Sequence, residues 1–234
     1  MSETVYLQAG FILQSTQYRE TSLLLEVLTQ DFGKVKLLAK GVRKLKSKTA
    51  GVLRPFIPLY FTFTGKTELK LLTHTEIATT FTELNGWQLY CGFYINELVI
   101  HLLHLYDPYP EVFAAYQQCL LDLTLNANLQ VPLRDFELIL LESIGYGIQF
   151  DYDNTKNKPV ETDKYYQFFA EKGVIEVENG RYPGWALLAI SARNFSDDRV
   201  LFFAKSLMRL VIDSCLQGKP LKSRAVMNQI IKRQ

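Results

Sequence analysis

The chain has 234 residues, of which 48% are apolar and 21% charged; this composition excludes a largely disordered chain and favours one or two folded domains. The formal net charge is only +2, and the three widely spaced cysteines exclude a disulfide framework and favour a reducing compartment. The first residues carry no secretion signal, and no apolar run is long enough to span a bilayer, so we expect a cytoplasmic protein.

Residues 1–79 carry the pattern of short β-strands separated by turns. The runs are rich in β-branched and aromatic residues, and turn signals such as Asp31-Phe32-Gly33 and Gly65-Lys66-Thr67 recur between them. The predicted strands are residues 5–14, 22–29, 34–40, 57–64 and 68–77. Five short strands with regular turns predict a small antiparallel barrel or sandwich, for which a five-stranded OB-type barrel is the natural candidate.

The third and fourth predicted strands, and the loop between them, hold an unusual concentration of cations. Residues 32–67 contain nine Lys or Arg and no Asp or Glu, whereas all 24 acids of the chain lie elsewhere. The nine bases are Lys34, Lys36, Lys40, Arg43, Lys44, Lys46, Lys48, Arg54 and Lys66. Because like charges repel, such a segment is costly unless a polyanion meets it, and nucleic acid is the obvious candidate.

The strand periodicity predicts which of these side chains face solvent. Lys34 and Lys36 alternate with Val35 and Leu37, so we expect both lysines on one open face, and Tyr60 likewise faces outward as a candidate for base stacking. The predicted nucleic-acid-binding residues are Lys34, Lys36, Lys40, Arg43, Lys44, Lys46, Lys48, Arg54 and Tyr60. The alternative is that the charge run is only a solvated face. Few side chains are suited to reading bases, so we expect binding independent of sequence.

After residue 80 the apolar period lengthens to that of helices. The predicted helices are residues 87–106, 111–125, 132–144, 197–216 and 221–232. Asp197 is expected to cap the fourth of these, a polar loop covers residues 151–163, and residues 165–169 and 174–177 form a hairpin. We therefore predict an α+β protein: residues 1–79 form an OB-fold nucleic-acid-binding domain, and residues 80–234 form a mainly α-helical domain with a small β-hairpin insertion near residues 160–178.

No catalytic motif emerges from the sequence. Gly65-Lys66-Thr67 resembles the end of a phosphate-binding loop, but position 60 is Tyr rather than Gly and the segment joins two strands, so we interpret it as a hairpin turn. The three cysteines lie in apolar helical patterns, which favours core packing over a nucleophilic role. We therefore predict no catalytic residues.

A metal site on the first predicted helix is a weaker alternative. Glu97, His101 and His104 share one helix face, but no zincin pattern accompanies them, which favours packed or interfacial histidines. Two rival functions follow from these patterns. One is a nuclease that uses Glu97, His101 and Asp107 with a divalent ion, and the other is an RNA-binding OB-fold accessory protein.

Short motifs follow one another along nearly the whole chain. They are Gly10-Phe11-Ile12-Leu13, Tyr18-Arg19-Glu20-Thr21-Ser22, Gly33, Ala39-Lys40-Gly41-Val42-Arg43-Lys44, Lys46-Ser47, Pro55-Phe56, Tyr94-Ile95-Asn96-Glu97-Leu98, Asp107-Pro108, Phe136-Glu137-Leu138, Gly145-Tyr146 and Gly218-Lys219-Pro220-Leu221-Lys222-Ser223-Arg224. In this order, the motifs resemble the RecO family of bacterial recombination and repair mediators.

The resemblance implies an OB-fold followed by a helical domain, and a non-enzymatic protein of the bacterial cytoplasm and nucleoid. It implies binding of single- and double-stranded DNA, annealing of complementary strands, and cooperation with RecR. It also implies binding of the acidic C-terminal tail of single-stranded DNA-binding protein and help in loading RecA onto coated DNA. The segment from Lys40 to Lys46 is then part of the DNA surface.

An acidic tail with apolar residues requires a pocket flanked by cations. The candidates are Arg134, Lys219, Lys222 and Arg224; the alternative is that Leu221 is core and these bases complement helix ends or phosphates.

One feature departs from part of the family. Some RecO proteins carry a four-cysteine zinc module after the Gly-Tyr that corresponds to Gly145-Tyr146, but residues 150–163 contain no cysteine, so we expect no zinc and no other cofactor.

Overall fold

The computed structural model of the protein describes residues 4–44 and 49–231. The strands are β1 (Thr4–Tyr18), β2 (Ser22–Thr29), β3 (Gly33–Ala39), β4 (Leu59–Thr64), β5 (Leu69–Ile77), β6 (Tyr152–Asp153), β7 (Lys158–Pro159), β8 (Tyr165–Phe169), β9 (Gly173–Glu176) and β10 (Tyr182–Pro183). The helices are α1 (Trp87–Leu102), α2 (Pro110–Leu125), α3 (Gln130–Ser143), α4 (Gly184–Ser191), α5 (Asp198–Cys215) and α6 (Lys222–Ile231).

The chain forms two compact units. One contains the residues up to Asn126 together with those from Leu221 onward, and the other contains Ala127–Pro220. The boundary predicted near residue 79 separates strands from helices along the sequence. The spatial contacts, by contrast, group α1, α2 and α6 with the barrel strands.

The five N-terminal strands form a closed barrel in the order β1-β2-β3-β5-β4, in which β4 pairs back to β1. The predicted α+β class, with an N-terminal five-stranded barrel and a helical C-terminal region, is confirmed. One expectation was wrong: the β3–β5 pair is parallel, because the chain crosses from one to the other through β4. β1 is longer than predicted, since register shifts at Val5/Gln8 and Ile12/Gln14 let one strand bend and pair on both sides.

Apolar side chains of every barrel strand fill the interior, as their period of two predicts. Ile12, Leu25, Val35 and Phe61 are completely buried there, and full burial of one such side chain stabilises the fold by about 1.5–3 kcal/mol. The same core contains Val42 and Leu53 from the long connection between β3 and β4. This connection is therefore anchored to the barrel near both of its ends.

The connection between α1 and α2 lies against β3. The Tyr106 amide donates to the Lys34 carbonyl at 2.9 Å, and Leu105 forms a parallel bridge with Lys34. Gly33 has a φ of +63°, and an added Cβ there would collide with the Asp107 carbonyl. Gly33 is thus required both for the backbone conformation and for the close approach of this connection.

Asn96 joins α1 to the barrel. It is buried, its Nδ2 donates to the Leu13 carbonyl of β1 at 2.8 Å, and its Oδ1 accepts from the Tyr116 hydroxyl of α2 at 2.6 Å. Burial, with a smaller contribution from Cys119, raises the pKa of Tyr116 well above its usual range, so this hydroxyl remains a neutral donor. One amide side chain thereby fixes three elements.

Glu97, the next residue on α1, caps the N-terminus of α6. Its carboxylate accepts from the Lys222 amide at 2.7 Å and from the Ser223 amide at 2.9 Å, and the Ser223 hydroxyl donates to it at 2.6 Å. A negative charge at this position satisfies unpaired amides and complements the helix dipole. The structure therefore gives Glu97 a role that the sequence interpretation left open, and it links two distant motifs of the chain.

Neutralising Glu97 should loosen α6. In Glu97→Gln we expect a loss of about 1–2 kcal/mol in the stability of the α6 N-terminus, because a charge-assisted cap is removed. Hydrogen–deuterium exchange at the Lys222 and Ser223 amides should become about 5- to 30-fold faster over this range of energies. Glu111→Gln, which alters an exposed acid of α2, is the control and should leave this exchange unchanged; equal exchange in both variants would contradict the capping role.

In the second unit, β10-β8-β9 form a three-stranded sheet that contains the predicted hairpin. Asp197 caps α5 by accepting from the Arg199 amide at 2.8 Å, as predicted. The sequence interpretation missed α4, β10 and the β6–β7 pair. α4 is short and apolar all round, so it shows no amphipathic period, and the expected loop at residues 151–163 contains the small β6–β7 pair.

Asp153 organises this small sheet. It is completely buried and accepts hydrogen bonds from the Thr155 amide and hydroxyl, the Lys156 amide, and the Glu176 amide of β9. Burial raises the pKa of Asp153, but the hydrogen bonds, led by that from the Glu176 amide, outweigh it and hold the pKa below its ordinary value. The ionised carboxylate of Asp153 therefore links β6 to β9 through its hydrogen bonds.

This lowered pKa predicts an acid-dependent loss of stability. The contribution of ionised Asp153 is complete above its unfolded pKa of about 3.9 and disappears as the pH falls through the lower folded value. We expect Asp153→Asn to lower the free energy of unfolding by about 2–4 kcal/mol at pH 7. The difference in this free energy between parent and variant should narrow below about pH 4. Urea unfolding in a Trp87→Phe background leaves Trp185 as the single tryptophan to report on this unit. A difference in unfolding free energy that does not change with pH would contradict the lowered pKa of Asp153.

Candidate nucleic-acid interface

Two connections meet at one end of the barrel. Tyr18 pairs with Ser22, and Leu23 pairs with Ala39, so the end of β1, the start of β2 and the end of β3 lie together. The β1–β2 turn and the first residues of the basic loop are consequently neighbours. This places the Tyr18-Arg19 and Lys40–Lys44 motifs beside each other, although they are separated in the sequence.

Arg43 joins the two connections. Its amide donates to the Thr21 carbonyl at 2.9 Å, and its guanidinium Nη1 donates to the Arg19 carbonyl at 3.2 Å. Gly41, with a φ of +70°, forms the turn that begins the loop, and Val42 is buried in the barrel core. The loop is therefore held to the β1–β2 turn both by packing and by hydrogen bonds.

Four cations project from this end: Arg19, Lys40, Arg43 and Lys44, which we call the barrel-end cations. All four are exposed. Over residues 4–44 and 49–231, no ion pair joins any of them to a carboxylate, and this includes Glu20 in the same turn. Their charges are therefore available to an external anion.

The other predicted cations are placed differently. Lys34 does not face solvent as the alternation predicts: it is buried by the α1–α2 connection, and its ammonium donates to the Ile100 carbonyl. Lys36 pairs with Glu68 at 3.1 Å, and Arg54 pairs with Glu83 at 2.9 Å. Carboxylates from outside the basic segment thus neutralise two of its members. Lys46 and Lys48 lie outside the described residues.

Tyr60 is not brought together with the barrel-end cations. It lies on β4, is half-buried, and pairs with Ala9 and Glu76. Ala9 and Tyr18 are nine residues apart on β1, which is roughly 30 Å of extended strand, so Tyr60 belongs to the opposite end of the barrel.

The sequence interpretation missed a different pair. The Arg19 guanidinium carbon lies 5.2 Å from the centroid of the Tyr18 ring, and the Arg19 carbonyl accepts from Arg43. Arg19 stands outside the acid-free run and was therefore not counted among the predicted binding residues. The only signal available was its position in a motif that ends at a strand turn.

The predicted tail-binding residues do not form one group within either unit. Arg134, on α3 of the second unit, is buried and pairs with Glu137 at 2.6 Å. Lys222 is exposed at the start of α6, and the Arg224 guanidinium carbon lies 5.6 Å from the centroid of the Tyr94 ring. Lys219 belongs to the second unit, and Leu221 is buried, as the alternative interpretation predicts.

Within residues 4–44 and 49–231, no helix is both long and apolar enough to cross a membrane. No group of three or more His, Cys, Asp or Glu side chains there is arranged to hold a metal ion.

Comparison with known proteins covers almost the whole chain. The family model described as recombination protein O N terminal matches residues 1–81, and the one described as recombination protein O C terminal matches residues 85–197.

Full-length relatives agree with this match. A Haemophilus influenzae protein is 40% identical over 228 residues, covering 96% of this chain and 97% of its own. A Coxiella burnetii protein is 39% identical over 231 residues, covering 97% and 100%, and a Methylococcus capsulatus protein is 39% identical over 222 residues, covering 94% and 92%. All three are named DNA repair protein RecO. The chain therefore belongs to the RecO family.

Proposed function

We propose that this protein is a recombination mediator in DNA repair that holds DNA at the barrel-end cations. Membership of the RecO family supports the repair role. The observation that carries the binding site is the group of four exposed cations on two connections that Arg43 joins, with no carboxylate partner among the described residues. Phosphates are the anions that such a surface accommodates without selecting a sequence.

The mechanism that we propose is electrostatic. Phosphates of one strand lie against the barrel-end cations, displacing condensed counterions, while the bases stay free to pair with a complementary strand. Partial neutralisation of the held strand lowers its repulsion for the incoming one, which favours annealing. No covalent step is required, and the anchored loop presents the cations without a large ordering cost on binding.

The partners follow from family resemblance. We propose that the protein acts with RecR, binds the acidic tail of single-stranded DNA-binding protein, helps load RecA, and works at the nucleoid. On α6, Lys222 and Val226 are both exposed and four residues apart, which offers a cation beside an apolar group to such a tail. Arg134 is a poorer candidate because its guanidinium is buried against Glu137.

The binding site is tested by two matched double variants that remove the same charge. Arg43→Ala/Lys44→Ala should weaken binding to a labelled oligothymidylate about 10-fold or more at about 50 mM salt, and should lower the salt slope by about 1.4. Lys36→Ala/Arg54→Ala should have a much smaller effect, because carboxylates already neutralise those side chains. Fluorescence anisotropy between about 50 and 200 mM salt measures both quantities.

The outcomes discriminate clearly. Equal losses in the two variants would show that only total charge matters, and unchanged affinity in the first would remove the barrel end as the binding site. Annealing of complementary oligonucleotides precoated with single-stranded DNA-binding protein tests the mediator role directly. Competition between DNA and RNA of equal length tests the RNA-binding alternative, and incubation of plasmid with Mg²⁺ or Mn²⁺ tests the nuclease alternative.

A further inference from the structure

We propose that Tyr18, supported by Arg19, is a base-stacking position that gives the barrel end a preference for unpaired bases over duplex DNA. This role depends on the DNA binding proposed above and adds to it a determinant of substrate form. Tyr18 is the last residue of β1 and is partly exposed to solvent.

The ring lies within the cluster that would hold phosphates. Arg19 follows it directly and places a guanidinium carbon 5.2 Å from its centroid, and the same residue's carbonyl accepts from Arg43. Tyr60, by comparison, pairs with the acidic Glu76 on a distant part of the barrel. Tyr18, unlike Tyr60, adjoins the barrel-end cations.

The backbone conformation of Arg19 also supports a binding role for this turn. Its φ of +51° lies in the left-handed region that non-glycine residues seldom adopt. Such conformations persist where surrounding contacts fix them, and they concentrate at binding sites. Here the hydrogen bond from Arg43 to the Arg19 carbonyl is one of those contacts. A glycine would fit the turn with less strain but would supply no guanidinium.

Base stacking on an aromatic ring favours single-stranded DNA over duplex DNA. An unpaired base has open π faces, which stack on tyrosine rings and on guanidinium planes, whereas duplex bases are already stacked on both sides. One such stack is worth about 5- to 150-fold in affinity by truncation of the aromatic side chain. Phosphate contacts alone contribute to single strands and duplexes alike. The Tyr18 ring therefore adds affinity for only one form of DNA.

The test uses three labelled ligands of equal length: an oligothymidylate, an abasic strand with the same phosphates but no bases, and a duplex. We expect Tyr18→Leu to weaken binding to the oligothymidylate by at least 5-fold, while binding to the abasic strand and the duplex stays within about twofold. Tyr18→Phe keeps the ring and should stay within about twofold of the parent on all three ligands. Comparing ligands within one variant guards against a general folding defect.

Each other outcome overturns one proposal. Equal loss on all three ligands would assign Tyr18 a structural role, and no loss on the oligothymidylate would remove it from the site. If Arg43→Ala/Lys44→Ala weakens both the oligothymidylate and the abasic strand while Tyr18→Leu behaves as the parent, the stacking role fails and the DNA site stands. If that double variant binds every ligand as the parent does, the proposed site itself fails.

Discussion

The proposed DNA-binding site depends on the way in which Arg43 is held. Its guanidinium donates to the Arg19 carbonyl and its amide to the Thr21 carbonyl, so both acceptors are neutral. A carbonyl fixes the position of a cation without cancelling its charge, and guanidinium has five N–H donors, most of which remain for a phosphate. Lys36 is placed instead by a carboxylate, Glu68, which removes its field at a distance. The type of acceptor, a neutral carbonyl or a carboxylate, thus distinguishes a cation that we propose to bind DNA from one that is neutralised within the fold.

A few specific hydrogen bonds, only some of them to charged groups, also hold the helices against the barrel. Both oxygens of Glu97 accept hydrogen bonds from the start of α6, and the neighbouring Asn96 uses an uncharged amide to join β1, α1 and α2. His101 lies 3.9 Å from Glu97, but the carboxylate is already committed to the helix cap. Glu97, one of the three residues that suggested a nuclease on sequence grounds, therefore has a structural role within this unit.

Periodicity predicted the barrel because alternate residues of β2, β3 and β4 enter its core, and the predicted strand positions agree closely with those observed. It failed at Lys34, since alternation identifies a face but not the segment that covers it; here residues near Leu105, 71 positions away, provide the cover. Local charge density failed similarly, because the partners of Lys36 and Arg54 are 32 and 29 residues away. Conversely, Arg19 lies near the cations of the basic loop only because β1 pairs with β2 and β2 pairs with β3.

The reduction from a basic run to a small cluster has a functional consequence. On single strands, each neutralised phosphate adds about 0.7 to the salt slope, so four contacts give a slope of roughly 3 and nine would give roughly 6. A site with the steeper slope would bind more tightly at low salt and release its strand slowly. The annealing role proposed above requires release of the annealed product, and a few well-placed cations meet that requirement better than many. In this view, the ion pairs of Lys36 and Arg54 limit the affinity of the surface as well as stabilising the fold.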